Sequence, residues 1–311
     1  MMSLKFVSFI DLPVHNRPGG FDHAAVHLSS GRVYVAHTCN DALDVIDGVA
    51  NSYLHSIPAL TGVAGALVSD KLNLLLTSNR GEDTIGIFSF DAEAAITRVK
   101  VGLHPNGLAF DSTRNLLLAA NVGDPAVAES FTVSLVDVAQ HAMMASVPVP
   151  GRTRWAVYDS HAQRFYVNIM QPAQIAVVDA TEPARARVER LWDIPVAGPH
   201  GLDLDMAQRR LYCACDAGKL VTLSADSGQV LSIADISGTP DVVFFNPVLE
   251  HLYIAIGDPG VIDVFYTRDL QRTETVSTEK GAHTLAFDAA RNKVYAFLPQ
   301  THRAVVYADE S

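Results

Sequence analysis

The chain has 311 residues, of which 49% are hydrophobic and 18% charged, and 23 basic against 34 acidic side chains give a formal net charge of −11. Such an apolar composition can bury a large core and excludes the pattern of disordered proteins, which combine low hydrophobicity with high charge. No Lys/Arg cluster interrupts the acidic balance, so we expect no nucleic-acid partner, because phosphate backbones bind basic patches.

The first twenty residues contain one lysine and an apolar run that polar residues and Pro13 interrupt, unlike a signal peptide. No run of about 18 apolar residues occurs anywhere, so the sequence predicts no membrane-spanning segment. The cysteines are Cys39, Cys213 and Cys215, and neither their odd number nor their spacing indicates disulfides, a zinc ribbon or a redox pair. These features predict a cytoplasmic protein with reduced thiols.

Seven segments of the chain align without gaps on one apolar position, which we call the anchor. The anchors are Val26, Val68, Phe110, Tyr158, Leu204, Phe245 and Phe287, and successive anchors lie 42, 42, 48, 46, 41 and 42 residues apart. The positions seven and eight residues after the anchor hold an aliphatic or aromatic residue in all seven segments. A repeat of this period indicates one supersecondary unit that is used seven times.

Each unit consists of short apolar runs joined by polar turns. A first run is followed by a polar turn, as at residues 111–115, 205–209 and 288–292, and then by a second run. Two further runs follow, for example at residues 84–91 and 95–102, or 219–225 and 229–234. Runs of this length are typical of strands rather than helices. The sequence therefore predicts an all-β fold: a seven-bladed β-propeller of four-stranded antiparallel blades, with residues 1–311 as a single domain.

The two ends of the chain complete each other in this scheme. The seventh unit has only three strand-like runs, at residues 284–287, 293–297 and 304–308, whereas residues 4–12 form a run before the first unit. We therefore expect the N-terminal strand to supply the outer strand of the last blade and to close the ring.

Several units carry motifs of a known family. A G-x-x-P-x-G-L-A opening occurs at residues 102–109, in part at 199–203 and loosely at 238–243, and a YVTN-like stretch occurs at residues 34–37 and 166–168. In these motifs the chain resembles the YVTN-type β-propeller repeat proteins, which are grouped with the lactonase-like propellers. The resemblance covers residues 3–309 and implies the propeller fold. Because relatives include lactonases, surface-layer repeats and binding proteins, it leaves function open.

One polar position stands out near the start of the innermost strands. In a propeller these strands begin at one rim of the central channel, so the residues four before each anchor should surround its mouth. They are Asp22, Ala64, Asn106, Arg154, His200, Asp241 and His283, and His23, His104, Arg152 and Trp155 flank them. Six of the seven are polar in strands that are otherwise largely apolar, and packing does not explain them.

The order of these residues around the ring suggests a metal site. The predicted ligands, from consecutive units, are His200, Asp241, His283 and Asp22. Two imidazoles and two carboxylates suit one divalent transition metal ion, with Zn²⁺, Mn²⁺, Ni²⁺ or Fe²⁺ favoured over Ca²⁺ or Mg²⁺ because two donors are nitrogen. Arg154 and Asn106 are expected opposite, where Arg154 would hold a carboxylate or phosphate and Ala64 would leave room for it.

Two functional hypotheses follow. In the first, the protein is a metal-dependent, lactonase-like hydrolase that acts on a small anionic molecule at the channel mouth, with His200, His283 and Arg154 as catalytic residues. The predicted substrate contacts are Arg154, Asn106, His104, Arg152 and Trp155. In the second, the mouth or the outer loops bind a small molecule or a protein without catalysis. No P-loop, dinucleotide fingerprint or EF-hand occurs, so no nucleotide or flavin cofactor is expected.

Other residues near the same rim are weaker candidates for ligand contact. The end of the second strand carries His37, Asn79, Asn121 and Cys215, and the loops that follow it carry Cys39, Glu82, Asp83 and Asp124. Cys213 and Cys215 share a strand face and are expected to be buried.

Overall fold

A computed structural model of the chain describes residues 4–93 and 95–310, which form 28 strands and three short 3₁₀ turns. The 3₁₀ turns are Thr38–Asn40, Asp70–Leu72 and Pro183–Arg185. No helix in this described part of the chain is long and apolar enough to span a membrane.

The strands form seven antiparallel sheets of four strands, and each sheet is one blade. Blade 1 contains β2 (Ala24–His27), β3 (Arg32–His37), β4 (Ala42–Asp47) and β5 (Ser52–Ile57). Blade 2 contains β6 (Val63–Ser69), β7 (Leu74–Asn79), β8 (Thr84–Ser89) and β9 (Thr97–Lys100). Blade 3 contains β10 (Pro105–Asp111), β11 (Leu116–Asn121), β12 (Thr132–Asp137) and β13 (Ala142–Pro148). Blade 4 contains β14 (Thr153–Asp159), β15 (Arg164–Ile169), β16 (Gln174–Asp179) and β17 (Arg187–Asp193).

The remaining blades continue this order until the ring closes. Blade 5 contains β18 (Pro199–Asp205), β19 (Arg210–Cys215), β20 (Lys219–Ser224) and β21 (Val230–Asp235). Blade 6 contains β22 (Thr239–Asn246), β23 (His251–Asp258), β24 (Val261–Tyr266) and β25 (Gln271–Ser277). Blade 7 contains β26 (Thr284–Asp288), β27 (Lys293–Leu298), β28 (Arg303–Asp309) and β1 (Leu4–Asp11).

The innermost strands contact one another in a closed circle. Each innermost strand lies against that of the next blade from β2 through β6, β10, β14, β18 and β22 to β26, which lies against β2 again. Apolar side chains fill the space between neighbouring blades, for example Leu118 of blade 3 and Phe165 of blade 4. The predicted seven-bladed β-propeller is confirmed.

The N-terminal strand completes the last blade. Strand β1 pairs antiparallel with β28 from Leu4 opposite Asp309 to Asp11 opposite Arg303. Leu4 and Ile10 are buried against the blade. The predicted closure of the ring by the N-terminal strand is thus observed.

The polar turn between the first two strands of a blade has a recurring chemistry. The last residue of the first strand is Asp or Asn in five blades, and its side-chain oxygen accepts hydrogen bonds from the backbone N–H groups two and three residues later. The turn then ends on a residue with positive φ, such as Asn115 at +56°. Short Asx side chains stabilise turns in this way, which is why the repeat keeps these positions polar.

The position eight residues after the anchor joins neighbouring blades where it is tyrosine. All five of these tyrosines are fully buried: Tyr34, Tyr166, Tyr212, Tyr253 and Tyr295. Four of them donate a hydrogen bond to the next blade around the ring, to Glu93, the Ala225 carbonyl, Asp309 and the Gly48 carbonyl respectively. The hydroxyl therefore links blades that are otherwise held by apolar packing.

Removing one of these hydroxyl groups should weaken a blade interface. We expect Tyr166→Phe to lower the free energy of unfolding by about 1 to 2 kcal/mol, because the Ala225 carbonyl then loses a buried donor. Tyr53→Phe is the control, since among the described residues the Tyr53 hydroxyl bonds only to Ser56 on its own strand. Urea denaturation of both variants measures the difference. Equal, small losses would show that the inter-blade hydrogen bond is unimportant.

Candidate functional site

The positions predicted to surround the channel mouth lie together at one rim. In five blades the position is the second or third residue of the innermost strand. In the other two, Asp22 and His283 lie within two residues before β2 and β26. Contacts between neighbouring blades join several of these side chains directly.

His200 of blade 5 lies at the centre of a network that spans four blades, from blade 4 to blade 7. Its Nδ1 lies 2.7 Å from Oδ1 of Asp216, and its Nε2 lies 3.1 Å from Oδ1 of Asp241. The second carboxylate oxygen of Asp241 lies 2.7 Å from Nδ1 of His283. Nη1 of Arg154, expected on the opposite side of the mouth, is only 3.1 Å from the His200 Nε2. Both nitrogens of His200 thus face carboxylates.

The protonation of this network follows from its contacts. Burial alone would lower the pKa of His200, but the charge of Asp241 and hydrogen bonds to Asp216 and Asp241 raise it to about 9. Burial would raise the pKa of Asp241, yet the charge and hydrogen bond of His200 hold it well below its usual range. The side chain of His283 is 37% exposed, and its hydrogen bond to Asp241 raises its pKa. At pH 7 His200 is therefore an imidazolium ion.

A second group on the rim contains Asp22, Arg80 and His23. One carboxylate oxygen of Asp22 lies 3.3 Å from Nη2 of Arg80, and the other lies 3.3 Å from Nε2 of His23. Burial lowers the pKa of His23, although the negative charges of Asp22 and Asp241 oppose this effect. His23 is therefore neutral at pH 7, in contrast to His200.

Three guanidinium groups converge at this mouth. Burial lowers the pKa of Arg152, and the positive charges of Arg154 and Arg80 lower it further. The charge of Asp216 opposes this effect. Arg152 and Met170 line the same cavity, and Nη2 of Arg154 lies 3.5 Å from the Met170 sulfur. Arg152 makes no side-chain hydrogen bond or ion pair with the residues that the structure describes.

The floor of the mouth is closed by two rings from opposite sides of the propeller. The rings of His23 of blade 1 and Trp155 of blade 4 pack at an angle of 47°, with their centroids 4.1 Å apart. Both rings also line a cavity of about 220 Å³ within the channel, whose walls include Leu67, Phe244 and Phe287. Trp155, predicted to contact substrate, therefore contributes to the base of the mouth.

Cavities of ligand size open at the rim. One of about 410 Å³ is lined by His200, Asp241 and His283, three of the four predicted metal ligands. Another, of about 290 Å³, is lined by Arg152, Met170 and other residues of blades 3 and 4. Volumes of this order hold small organic molecules rather than single waters.

The remaining predicted residues of the mouth are Asn106, His104 and Ala64, and none of them lines the two rim cavities described above. Asn106 is buried, and its side-chain oxygen has no hydrogen-bond partner among the described residues. Nδ1 of His104 lies 3.3 Å from the Gly123 carbonyl, in the loop after β11. Ala64, expected to leave a gap, is fully buried, and its carbonyl accepts the His23 backbone N–H.

Sequence reasoning missed two charged residues of the rim, Arg80 and Asp216. Both lie one residue beyond the end of the second strand, after Asn79 and Cys215. Met170 holds the same place in blade 4, and its sulfur lies 3.5 Å from Nη2 of Arg154. The position one residue after the end of the second strand therefore supplies further side chains to the rim.

The last residue of the second strand, which the sequence suggested as a ligand contact, instead faces the interior of the blade. Asn79, Asn121 and Cys215 are fully buried, and Asn121 donates to Thr132 and Ser134 of its own blade. Cys213 is also fully buried, so the expectation for the thiol pair is met. His37 is buried as well and donates from Nδ1 to Asp44 at 2.7 Å.

A compact set of metal-binding side chains occurs elsewhere in the described residues. His15, His37 and Cys39 each place one ligand atom within 4.8 Å of the others, and no other described group of three or more does so. The metal role of Asp22, His200, Asp241 and His283 stays a prediction.

Comparison with known proteins shows the fold alone. No protein-family model and no curated protein sequence matches the chain. Among solved structures, 1778 chains match, including one titled Kuenenia stuttgartiensis Hydrazine Synthase. That match has a TM-score of 0.80 and 12% sequence identity, and covers 94% of this chain and 96% of the other. Likeness at this identity supports the propeller architecture and carries no statement about activity.

Proposed function

We propose that the channel mouth binds a small anionic molecule, a carboxylate or a phosphate compound. The observation that carries this proposal is the presence of several cations at the rim. Nη1 of Arg154 lies 3.1 Å from the protonated His200, Arg152 lines a rim cavity, and Arg80 lies 3.3 Å from Asp22. Clustered guanidinium groups repel one another, and a bound anion relieves that repulsion through charge-assisted hydrogen bonds.

The charge balance of the mouth supports this choice of ligand. Its cations at pH 7 are Arg80, Arg152, Arg154 and His200, and its carboxylates are Asp22, Asp216 and Asp241. The mouth is thus positive, whereas the whole chain carries a formal net charge of −11. A local positive region in an acidic protein concentrates small anions at that place.

Three residues of the rim contain buried polar atoms that lack a partner. The Nε groups of Arg80 and Arg154 and the side-chain oxygen of Asn106 are buried without a hydrogen-bond partner among the described residues. Buried polar groups are normally paired with protein, water or ligand. A ligand with carboxylate or phosphate oxygens would satisfy the two arginine donors, and a hydroxyl group on it would satisfy the asparagine oxygen.

Thermal denaturation with a panel of anions tests this proposal. We expect phosphate, oxalate, malonate or citrate to raise the Tm at pH 7 and constant ionic strength, because a ligand that binds only the native state stabilises it. Arg152→Ala should weaken the affinity about tenfold or more, equivalent to ~1.4 kcal/mol. The unpaired, exposed Arg152 is suitable because its removal should leave the fold intact.

The matched control is Arg185→Ala, since Arg185 is exposed and pairs only with Glu182 outside the mouth. It should respond to the anions like the unaltered protein. An identical anion response in Arg152→Ala, or no response of the unaltered protein to any of the four anions, would contradict the proposal.

Hydrolysis of the bound anion, including lactone opening, is a second candidate function. It is favoured by His23, whose neutral imidazole lies beside the Asp22 carboxylate on the floor of the mouth. A neutral imidazole oriented by a carboxylate is suited to accept a proton from water. The YVTN-type resemblance, with its lactonases, points to the same chemistry. We also propose a cytoplasmic location, consistent with three free, buried cysteines.

A metal-assisted form of this reaction retains Asp22, His200, Asp241 and His283 as ligands. His200 would then have to lose a proton to offer a lone pair, so metal binding at this place should strengthen as the pH rises toward 9. Melting of His200→Ala and unaltered protein with Zn²⁺, Mn²⁺ and Ni²⁺ tests this role. A Tm increase that requires His200 supports it, and an increase that His200→Ala retains removes these residues as the ligands.

A further inference from the structure

The seam where the ring closes contains a cluster of histidines and one thiol that the mouth does not use. His15 lies in the segment that follows the closing strand β1, whereas His37 and Cys39 come from the end of β3 and the 3₁₀ turn after it in blade 1. The ring of His15 packs against those of His37 and His302, with centroids 4.9 and 4.3 Å away. His302 belongs to the turn between β27 and β28 of blade 7.

The Asp44 carboxylate orients the ring of His37 so that its Nε2 is the nitrogen left for a ligand. Its Nδ1 lies 2.7 Å from the Asp44 carboxylate, which also accepts the Ser56 hydroxyl at 2.6 Å. With its proton on Nδ1, the imidazole keeps a lone pair on Nε2. This Nε2 is buried and has no hydrogen-bond partner among the described residues. Metal-binding histidines typically donate their other nitrogen to a carboxylate, which fixes both tautomer and ring orientation.

The neighbouring groups offer the same kind of donor. The Nε2 of His15 is also buried without a partner among the described residues, and so is Nδ1 of His302. Cys39 is a free cysteine with only 2% of its surface exposed. One ligand atom each from His15, His37 and Cys39 lies within 4.8 Å of the other two. Several buried, unpaired nitrogens in one place would be costly unless something binds them.

We propose that His15, His37 and Cys39 bind one Zn²⁺ ion at the seam between blades 7 and 1. Mixed imidazole and thiolate donors suit Zn²⁺ and exclude Ca²⁺ and Mg²⁺, which take oxygen ligands. On binding, the Cys39 S–H bond breaks, the Zn–S bond forms, and one proton is released to solvent. This site is independent of the anion site proposed at the mouth.

The surrounding loops indicate a structural role for this ion. The segment after β1 is fixed over the site, since the Asn16 N–H donates to Asn40 at 2.7 Å and Asn40 donates to the Val14 carbonyl at 3.0 Å. A Cβ on Gly19 would lie 3.0 Å from Cβ of Cys39, so the segment packs closely there. A metal ion would therefore tie the chain that follows the closing strand to blade 1, and would strengthen the closed ring.

Co²⁺ and Zn²⁺ binding to the full-length, chelator-treated protein tests the proposal. Co²⁺ should bind in a 1:1 ratio and give the near-ultraviolet absorption of a Co²⁺–thiolate bond, and Zn²⁺ should displace it and raise the Tm. The absorption should be lost in Cys39→Ser. Because His15 is partly exposed in a loop, His15→Ala should fold and should lower the Co²⁺ affinity at least tenfold.

Three controls separate this site from other donors. Cys215→Ala tests the thiols of Cys213 and Cys215, His161→Ala tests an exposed histidine, and His200→Ala tests the channel mouth. All three variants should retain the 1:1 thiolate absorption. Absence of that absorption from the unaltered protein, or its retention in both Cys39→Ser and His15→Ala, would overturn the proposal. Co²⁺ binding without the thiolate absorption, lost in His200→Ala and retained in His15→Ala, would place the ion at the mouth instead.

Discussion

Deleting residues 1–13 should abolish the stable folded state or lower the free energy of unfolding by more than ~5 kcal/mol. The deletion removes strand β1 and with it the buried side chains of Leu4, Ile10 and Leu12. Burying a side chain of this size contributes about 1.5 to 3 kcal/mol, and a domain of ordinary stability has only about 5 to 15 kcal/mol in total. The deletion also leaves β28 as an unpaired edge.

Point variants on the two faces of β1 show whether closure itself is responsible. Ile10→Ala should lower the free energy of unfolding by about 2 to 4 kcal/mol because it empties a buried position. Phe6→Ala, on the exposed face of the same strand, should change it by less than about 1 kcal/mol. A synthetic peptide of residues 1–13 should restore part of the Tm of the deleted protein. An unchanged Tm after deletion would show that the ring does not depend on this strand.

Replacing His200 should destabilise the protein more strongly at pH 7 and below than at pH 9. The buried carboxylate of Asp241 lies between His200 and His283, and removing one cationic partner from a buried pair costs about 3 to 5 kcal/mol. We therefore expect His200→Gln to lower the free energy of unfolding at pH 7 by ~3 kcal/mol. Chemical denaturation at several pH values measures this loss.

The pH dependence gives this prediction a distinctive sign. The pKa of His200 is raised to about 9, above its ordinary value of about 6.5, so the folded state binds the proton more tightly. Its stabilising contribution is complete below pH 6.5 and is lost as the pH rises through 9. The difference between the unaltered protein and His200→Gln should shrink over this range, whereas exposed His161→Gln should show no such trend. A constant difference from pH 6 to 9.5 would contradict the assigned protonation.

The fold could be predicted because the same pattern of strands and turns occurs seven times in the sequence. A blade alternates short apolar runs with polar turns, and averaging over seven copies makes each strand visible despite its small length. The ends of single strands were less certain. The sequence predicts a strand at residues 95–102, whereas β9 spans only Thr97–Lys100. The strand ends there because the Val101 N–H donates to the Asp83 carbonyl in a loop and the Gly102 N–H donates to the Ser134 hydroxyl in blade 3.

The rim of the channel could be located from the same register, but its pairings could not. A repeat position specifies the height of a residue along the channel axis, and this was sufficient for His200, Asp241 and His283. It does not specify the rotamer of a long side chain, so Arg154 was expected across the mouth and lies beside His200 instead. His15 could not be found in this way, since the segment after β1 is not part of the repeat.

The proposed anion site lies at the positive mouth of the channel. A crystal structure of the protein grown at pH 7 with the anion that raises the Tm most would test it directly. We expect density for that anion in contact with Arg152 and at least one of Arg80 and Arg154. Density for water alone among these three side chains, or for a metal ion bound by Asp22, His200, Asp241 and His283 with no anion, would contradict the claim.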